Sequence, residues 1–230
     1  MAVKKAEASN PASDNLPPLW LVLASGKGGS GKTTTARNLA VYAAETGLSV
    51  LLIDLDRQQT LSQWFHRRPT EAAPLSLLTL PLRDFDKNLP DIESSLAEQT
   101  IRLVIVDTPP GVEEQATPIR LLLRKASLVL VPSGQGTPDL SAVVDWMRFL
   151  ESEKVTAAFL LNRVKRSARS YQNAKSTLNR AGVLCPIDVR DLEDIQMTYD
   201  HGLGVAEVRG AAGSDDFRGV WEFIARKMGV

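Results

Sequence analysis

The run Gly26-Lys27-Gly28-Gly29-Ser30-Gly31-Lys32-Thr33 has the spacing G-x-x-x-x-G-K-[ST]. Its glycines let the backbone turn so that several N–H groups face one anion. Lys32 then brings charge to the β- and γ-phosphates of a nucleotide, and the Thr33 hydroxyl suits Mg²⁺. The apolar run Leu19–Ala24 precedes the motif and a helical pattern follows it. A helix beginning near Lys32 adds the positive end of its dipole. A glycine-rich turn that binds nothing would explain neither the spacing nor the context.

Three carboxylates belong with this loop. The strand-like segment Leu103–Gly111 (LVIVDTPPG) reaches Asp107, placed to hold Mg²⁺ through water, and then Thr108-Pro109-Pro110-Gly111, a stiff loop where a γ-phosphate would be sensed. The segment Leu51–Gln59 (LLIDLDRQQ) carries Asp54 and Asp56. Alternate residues of an extended chain point to opposite sides, which predicts one acid near the metal and one near the attacking water. Each acid alone would read as a strand-end cap or a solvated side chain. Three at the carboxyl ends of neighbouring strands, facing one phosphate loop, form a site.

The elements that must position these residues follow from the hydropathy pattern. Short, branched, non-alternating runs at Leu19–Ala24, Ser49–Asp54, Ile101–Asp107, Ser127–Pro132 and Thr156–Asn162, with a weaker one near Val183–Val189, suit strands buried on both faces. Helical patterns lie between or after them at Lys32–Thr46, Lys87–Gln99, Glu113–Lys125, Leu140–Glu153, Ala168–Ala181, Asp191–His201 and Asp215–Met228. The alternation predicts an α/β fold, a single domain with a mainly parallel twisted sheet and helices on both faces. Residues 19–230 form that domain. Residues 1–18, rich in Ala, Ser, Asn and Pro, read as a disordered tail, and Thr70–Pro81 as an irregular surface excursion.

Composition narrows the function classes. The 230 residues carry 27 basic and 27 acidic side chains, so any anion-binding surface must be local. The single cysteine, Cys185, excludes an intrachain disulfide and a cysteine-ligated cluster within one chain. Neither a membrane-spanning run nor a secretion signal is present in the sequence, which makes the cytoplasm the expected compartment.

Taken together, Lys27–Thr34, Asp54-Leu55-Asp56-Arg57-Gln58 and Asp107–Gly111 resemble, in order and spacing, the motifs of the ParA/MinD family of deviant Walker ATPases. The later segments VLVPSGQGTPDLSAV and FLLNRVKRS are similar too, so the resemblance runs from about Leu19 to the end. It implies a P-loop ATPase with ATP and Mg²⁺ as ligands, sandwiched in an ATP-dependent homodimer. On this likeness Gly28, Gly29, Ser30, Gly31, Lys32, Thr33 and Thr34 cradle the phosphates, and Thr33, Asp54 and Asp107 form the metal shell. Asp56 orients the hydrolytic water, and Asn162 hydrogen-bonds adenine, a use suited to an amide that both donates and accepts. Lys27, on its own a solvated loop lysine, becomes the residue that reaches the partner's nucleotide and neutralises charge there. The first switch of the family reads D-x-D-P-Q; here Arg57 replaces the proline and leaves that backbone freer.

From Val155 to Ile187 there is no acidic residue, while Arg163, Lys165, Arg166, Arg169, Lys175 and Arg180 fall inside it. The segment reads either as a solvated face whose counter-charges come from elsewhere or as a phosphate-contacting surface. The resemblance implies non-specific DNA binding here, through Arg163, Lys165, Arg166, Arg169 and Lys175, on a nucleoid-associated protein. It also implies a ParB-like, cargo-bound activator, with plasmid or chromosome partition as the leading use. The C-terminal stripe Val220, Trp221, Ile224, Met228 reads either as a membrane-surface helix of the MinD kind or, preferred, as the last helix packed on the core. A nucleotide-gated adaptor for a protein cluster is the further alternative.

Overall fold

The computed structural model describes residues 16–111 and 116–230. Six strands form one sheet in the order β3-β2-β4-β1-β5-β6. They are β1 (Leu19–Leu23), β2 (Val50–Asp54), β3 (Ser76–Thr79), β4 (Leu103–Asp107), β5 (Leu128–Ser133) and β6 (Ala157–Leu161). All neighbouring pairs are parallel. Eight α-helices accompany them among the described residues: α1 (Lys32–Glu45), α2 (Thr60–Phe65), α3 (Phe85–Glu98), α4 (Ala116–Lys125), α5 (Thr137–Ser152), α6 (Arg169–Ala181), α7 (Glu193–Asp200) and α8 (Ser214–Met228).

Alternation along the strands divides the core in two. Val22, Ile53, Val104, Val106, Val129 and Phe159 pack with α3, α4, α5 and α6 on one face. Leu21, Leu23, Leu52, Ile105, Leu130 and Leu160 pack with α1, α2, α7 and α8 on the other. Both faces of the central strands are thereby dry, the reason their sequences read as continuous apolar runs. The stripe on α8 belongs to this second core: Val220, Trp221 and Ile224 are buried there beside Phe217, and Met228 is partly buried against it. That is the core-packing alternative, and it leaves α8 without the apolar face a membrane-surface helix needs. No described helix is long and apolar enough to cross a membrane.

The expected five main strands and seven helices are present with boundaries moved by a few residues. Three details differ. Thr70–Pro81 is more than an excursion, because Ser76–Thr79 pairs with Leu51–Asp54 as the edge strand β3. The short α2 was not expected at all. The weak run near Val183–Val189 makes no ladder; Leu184 forms one isolated parallel bridge with Phe159, and Arg190 another with Val164. Pro186, which lacks a backbone N–H, interrupts what could otherwise continue as a strand. Residues 1–15 of the expected tail, and 113–115 at the start of the expected fourth-strand helix, lie outside the described residues.

The chain leaves β1 toward β2 and β4 on one side, and later fills β5 and β6 on the other. The crevice at the carboxyl end of β1 is therefore a topological switch point, where ligands of open α/β sheets bind. The phosphate loop begins there.

Candidate active site

The loop between β1 and α1 is set by two left-handed glycines, Gly29 (φ 75°) and Gly31 (φ 90°). A Cβ on Gly31 would fall 2.1 Å from Asn162 Nδ2, so that position excludes any side chain. The loop is braced internally by the hydroxyl pair Ser25–Ser30 at 2.8 Å and by Ser25 Oγ donating to the Lys27 carbonyl. Lys32 is buried, and its Nζ also donates to that carbonyl at 3.3 Å. It sits at the first turn of α1, whose free N–H groups face the same space.

Below the loop, Asp54 and Asp107 end neighbouring strands in direct register. Thr33 Oγ1 donates to Asp107 Oδ2 at 2.6 Å, while Asp107 Oδ1 is buried with no hydrogen-bond partner among the described residues. Burial, helped by the negative charges of Asp54 and Asp56, pushes the Asp107 carboxyl up to about 7; the Thr33 hydrogen bond and Lys32 oppose the rise. A buried carboxylate oxygen without a partner, beside a hydroxyl under a phosphate loop, fits a divalent cation with its waters.

Asp54 is engaged by its own chain. Its Oδ1 accepts from Asp56 N at 3.1 Å, and its Oδ2 accepts from both Ser62 N and Ser62 Oγ at 2.8 Å. Desolvation raises its carboxyl above the usual range, against these three hydrogen bonds. Asp54 thus ties the segment after β2 and the start of α2 to β2, whereas the Asp107 carboxylate keeps one oxygen without such a bond among the described residues. Asp56, two residues on, is half-buried on the cleft wall, with Oδ1 accepting from Gln58 N at 3.0 Å. The two acids therefore have different surroundings, Asp54 fully buried and Asp56 on the cleft wall.

Asn162 is likewise engaged within the chain. Its Nδ2 donates to Ser30 O at 3.0 Å and approaches Thr35 Oγ1 at 3.4 Å, and its Oδ1 accepts from Arg163 N at 3.0 Å. The Nδ2 end of the amide thus holds the phosphate loop from the β6 side, while Oδ1 is bound to the next backbone N–H of its own segment.

Lys27 is not simply solvated. Its Nζ lies 2.5 Å from Asp139 Oδ1, in the first turn of α5, with both side chains partly exposed. Asp139 in turn lies so close to Gly134 that a Cβ there would fall 2.7 Å from Oδ2. Asp139 was not singled out from the sequence; an acid after Thr-Pro at a helix start reads as a dipole-stabilising residue and nothing more.

Lys32, Thr33, Asp56 and Asn162 line a cleft of about 420 Å³. The phosphate loop and Asp56 line one end, and Arg163, Val189, Arg190, Leu192, Ile195 and Gln196 line the other. The second wall, built by α7 and the segment before it, had no motif to reveal it.

The expected DNA-contacting residues are less free than their sequence suggests. Buried Asp188 accepts from Arg166 Nε and Tyr171 Oη, both at 2.8 Å, and Lys175 Nζ is 3.7 Å from it. Arg163 Nε is 3.6 Å from Asp191 Oδ1. Lys165 and Arg169 are exposed and make no ion pair among the described residues. Asp188 lies one residue beyond the acid-free stretch, so folding supplies the counter-charge that the segment lacks.

A parallel sheet with this loop at its switch point defines a phosphate-loop nucleotide-binding protein. Residues 21–203 match the family described as the CobQ/CobB/MinD/ParA nucleotide binding domain, and the chain belongs to that family. "Maintenance of carboxysome distribution protein A" of Gloeobacter kilaueensis is 30% identical over 221 residues, which are 93% of this chain and 97% of that relative. Among solved structures, the septum site-determining protein MinD of Pyrococcus horikoshii, complexed with Mg-ADP, superposes with a TM-score of 0.73 at 19% identity, covering 92% of this chain and 98% of that one. A putative plasmid partition protein of Borrelia burgdorferi bound to AMPPNP gives 0.72 at 16% identity, covering 91% and 99%. At these identities the structures share the fold.

Proposed function

We propose that the protein is a Mg²⁺-dependent ATPase that dimerises on ATP and positions a cargo, with slow turnover until a cargo-bound activator meets it. The observation that carries this reading is the Thr33–Asp107 pair with its open carboxylate oxygen under the phosphate loop. Thr33 and Asp107 would hold Mg²⁺, which when bound neutralises charge on the phosphate oxygens. Lys32 and the loop N–H groups bind the phosphates and hold them in line. Asp56, on the cleft wall, orients the attacking water. Lys27 leaves Asp139 and reaches the nucleotide of a second copy, where a cation stabilises the transferring phosphoryl group.

Exposed Lys165 and Arg169, with Arg163, Arg166 and Lys175, give a basic surface for non-specific DNA binding, which a dimer doubles. That would place the ATP form on the nucleoid in the cytoplasm. Two cargo classes fit. DNA partition, through a ParB-like partner, accords with the plasmid partition neighbour. A protein assembly is favoured by a specific observation, the similarity over nearly the full length of both chains to a carboxysome distribution protein.

The test is light scattering and phosphate release with Mg-ATP, with and without DNA, on wild type and Asp56→Ala. ATP should drive dimerisation, and Asp56→Ala should retain the dimer but lose turnover. A wild-type protein that stays monomeric with ATP and releases no phosphate under either condition would overturn the reading.

A further inference from the structure

Between Lys32 and Glu45, α1 carries a single charge, Arg37. It is 1% exposed. No carboxylate forms an ion pair with it among the described residues. A cation buried without a counter-ion is expensive, and an apolar side chain of similar volume would pack there at lower cost. Burial lowers the guanidinium to about 10, and it therefore stays charged at neutral pH.

What it touches accounts for the charge. Nη1 donates to Thr198 Oγ1 at 2.9 Å and to Leu203 O at 2.7 Å, and Nη2 donates to Ile195 O. All three acceptors lie on α7 or the turn after it. A guanidinium fork can serve three fixed acceptors at once. Leu203 O also accepts from Trp64 Nε1 of α2 at 3.1 Å, and Tyr199 Oη donates to Thr60 O at 3.2 Å.

Helix α7 needs such fastening. It has eight residues, of which only Ile195 and Thr198 are buried. A helix so short and so thinly packed does not hold its own position. Yet Ile195 and Gln196 form part of the cleft wall facing the phosphate loop.

We propose that Arg37 is a positioning residue for nucleotide binding: it clamps α7 to the phosphate-loop helix, and so sets the wall that receives the nucleoside half of ATP. The phosphates depend on the loop itself, which Asn162, Ser25 and α1 hold independently. The base and ribose depend on α7. Arg37 touches neither and acts through α7. The proposal rests on the reading that ATP fills the cleft.

The test compares ATP with inorganic tripolyphosphate by equilibrium titration on folded wild type, Arg37→Met and Arg37→Lys. Methionine keeps the volume without the charge; lysine keeps the charge without the fork. Both variants should bind ATP about tenfold more weakly, the scale of one lost charge-assisted hydrogen bond, and tripolyphosphate within about twofold of wild type. If Arg37→Met does not fold, Arg37→Lys carries the comparison. Equal losses for both ligands would mean a general loosening of the fold and would overturn the proposal, as would unchanged ATP affinity. A wild type that binds no ATP would remove the ATP reading itself; a wild type that binds, with variants that match it, removes only the role of Arg37.

Discussion

Replacing Asp107 with asparagine should stabilise the nucleotide-free protein while disabling it. The Asp107 carboxyl is buried and raised from 3.8 to about 7. An acid whose folded pKa is raised stabilises the fold most below its unfolded pKa. That contribution fades as pH climbs from about 4 through about 7. The full difference, roughly three pH units at 1.36 kcal/mol each, is about 4 kcal/mol above pH 8. Asparagine has the same shape, no charge, and an amide oxygen that can still accept from Thr33. Urea unfolding of both proteins in EDTA, without nucleotide, at pH 6, 7 and 8 measures the effect. Asp107→Asn should unfold at higher urea than wild type at pH 8, with a gap that narrows toward pH 6. Its Mg²⁺-dependent nucleotide affinity should fall over the same range. A gap independent of pH, or a variant weaker than wild type at pH 8, would refute the assignment of Asp107 as the strained, metal-facing acid.

Asp139→Asn should release Lys27 and raise ATP-driven dimerisation by a few-fold, since a half-exposed pair is worth about 1 kcal/mol or less; sedimentation at limiting protein measures it, and an unchanged dimer constant would show the pair to be incidental. Lys32→Ala should abolish ATP binding, which a fluorescent nucleotide titration reads directly. Neutralising Lys165 and Arg169 together should weaken DNA binding more than neutralising Lys175, which Asp188 already engages; equal losses in filter binding at low salt would place the contact surface elsewhere. Asn162→Ala should lower affinity for ATP and tripolyphosphate alike, because its amide holds the loop and not the base; a loss confined to ATP would restore the adenine role.

The sheet was legible because its central strands are buried on both faces, and the phosphate loop because its chemistry requires a fixed spacing of glycines. Asp107 could be located because it ends such a strand, and Asp56 because it follows the end of another by two residues. What escaped was short or tertiary. The α2 segment TLSQWF has six residues, too few to display a helical period, and β3 is an edge strand of four residues, none fully buried. Asn162 was found, but the use of its amide depends on how close Gly31 approaches, a distance that no local pattern encodes. Asp139 meets Lys27 across 112 positions of sequence. Arg37 did leave a trace, as the lone charge between Lys32 and Glu45 at the two ends of α1, yet its acceptors lie more than 150 residues away.

Buried Asp188 has a consequence for how firmly the α6 surface grips. Arg166 and Lys175 are already neutralised in part before any polyanion arrives. Fewer counterions are then displaced on contact, and affinity should fall less steeply with salt than the raw tally of cations suggests. Tyr171 and the carboxylate also hold these side chains in place, so less of their freedom is lost on docking. On the proposed reading, a surface with part of its charge already answered from within would contribute less counterion release per cation than a bare basic face.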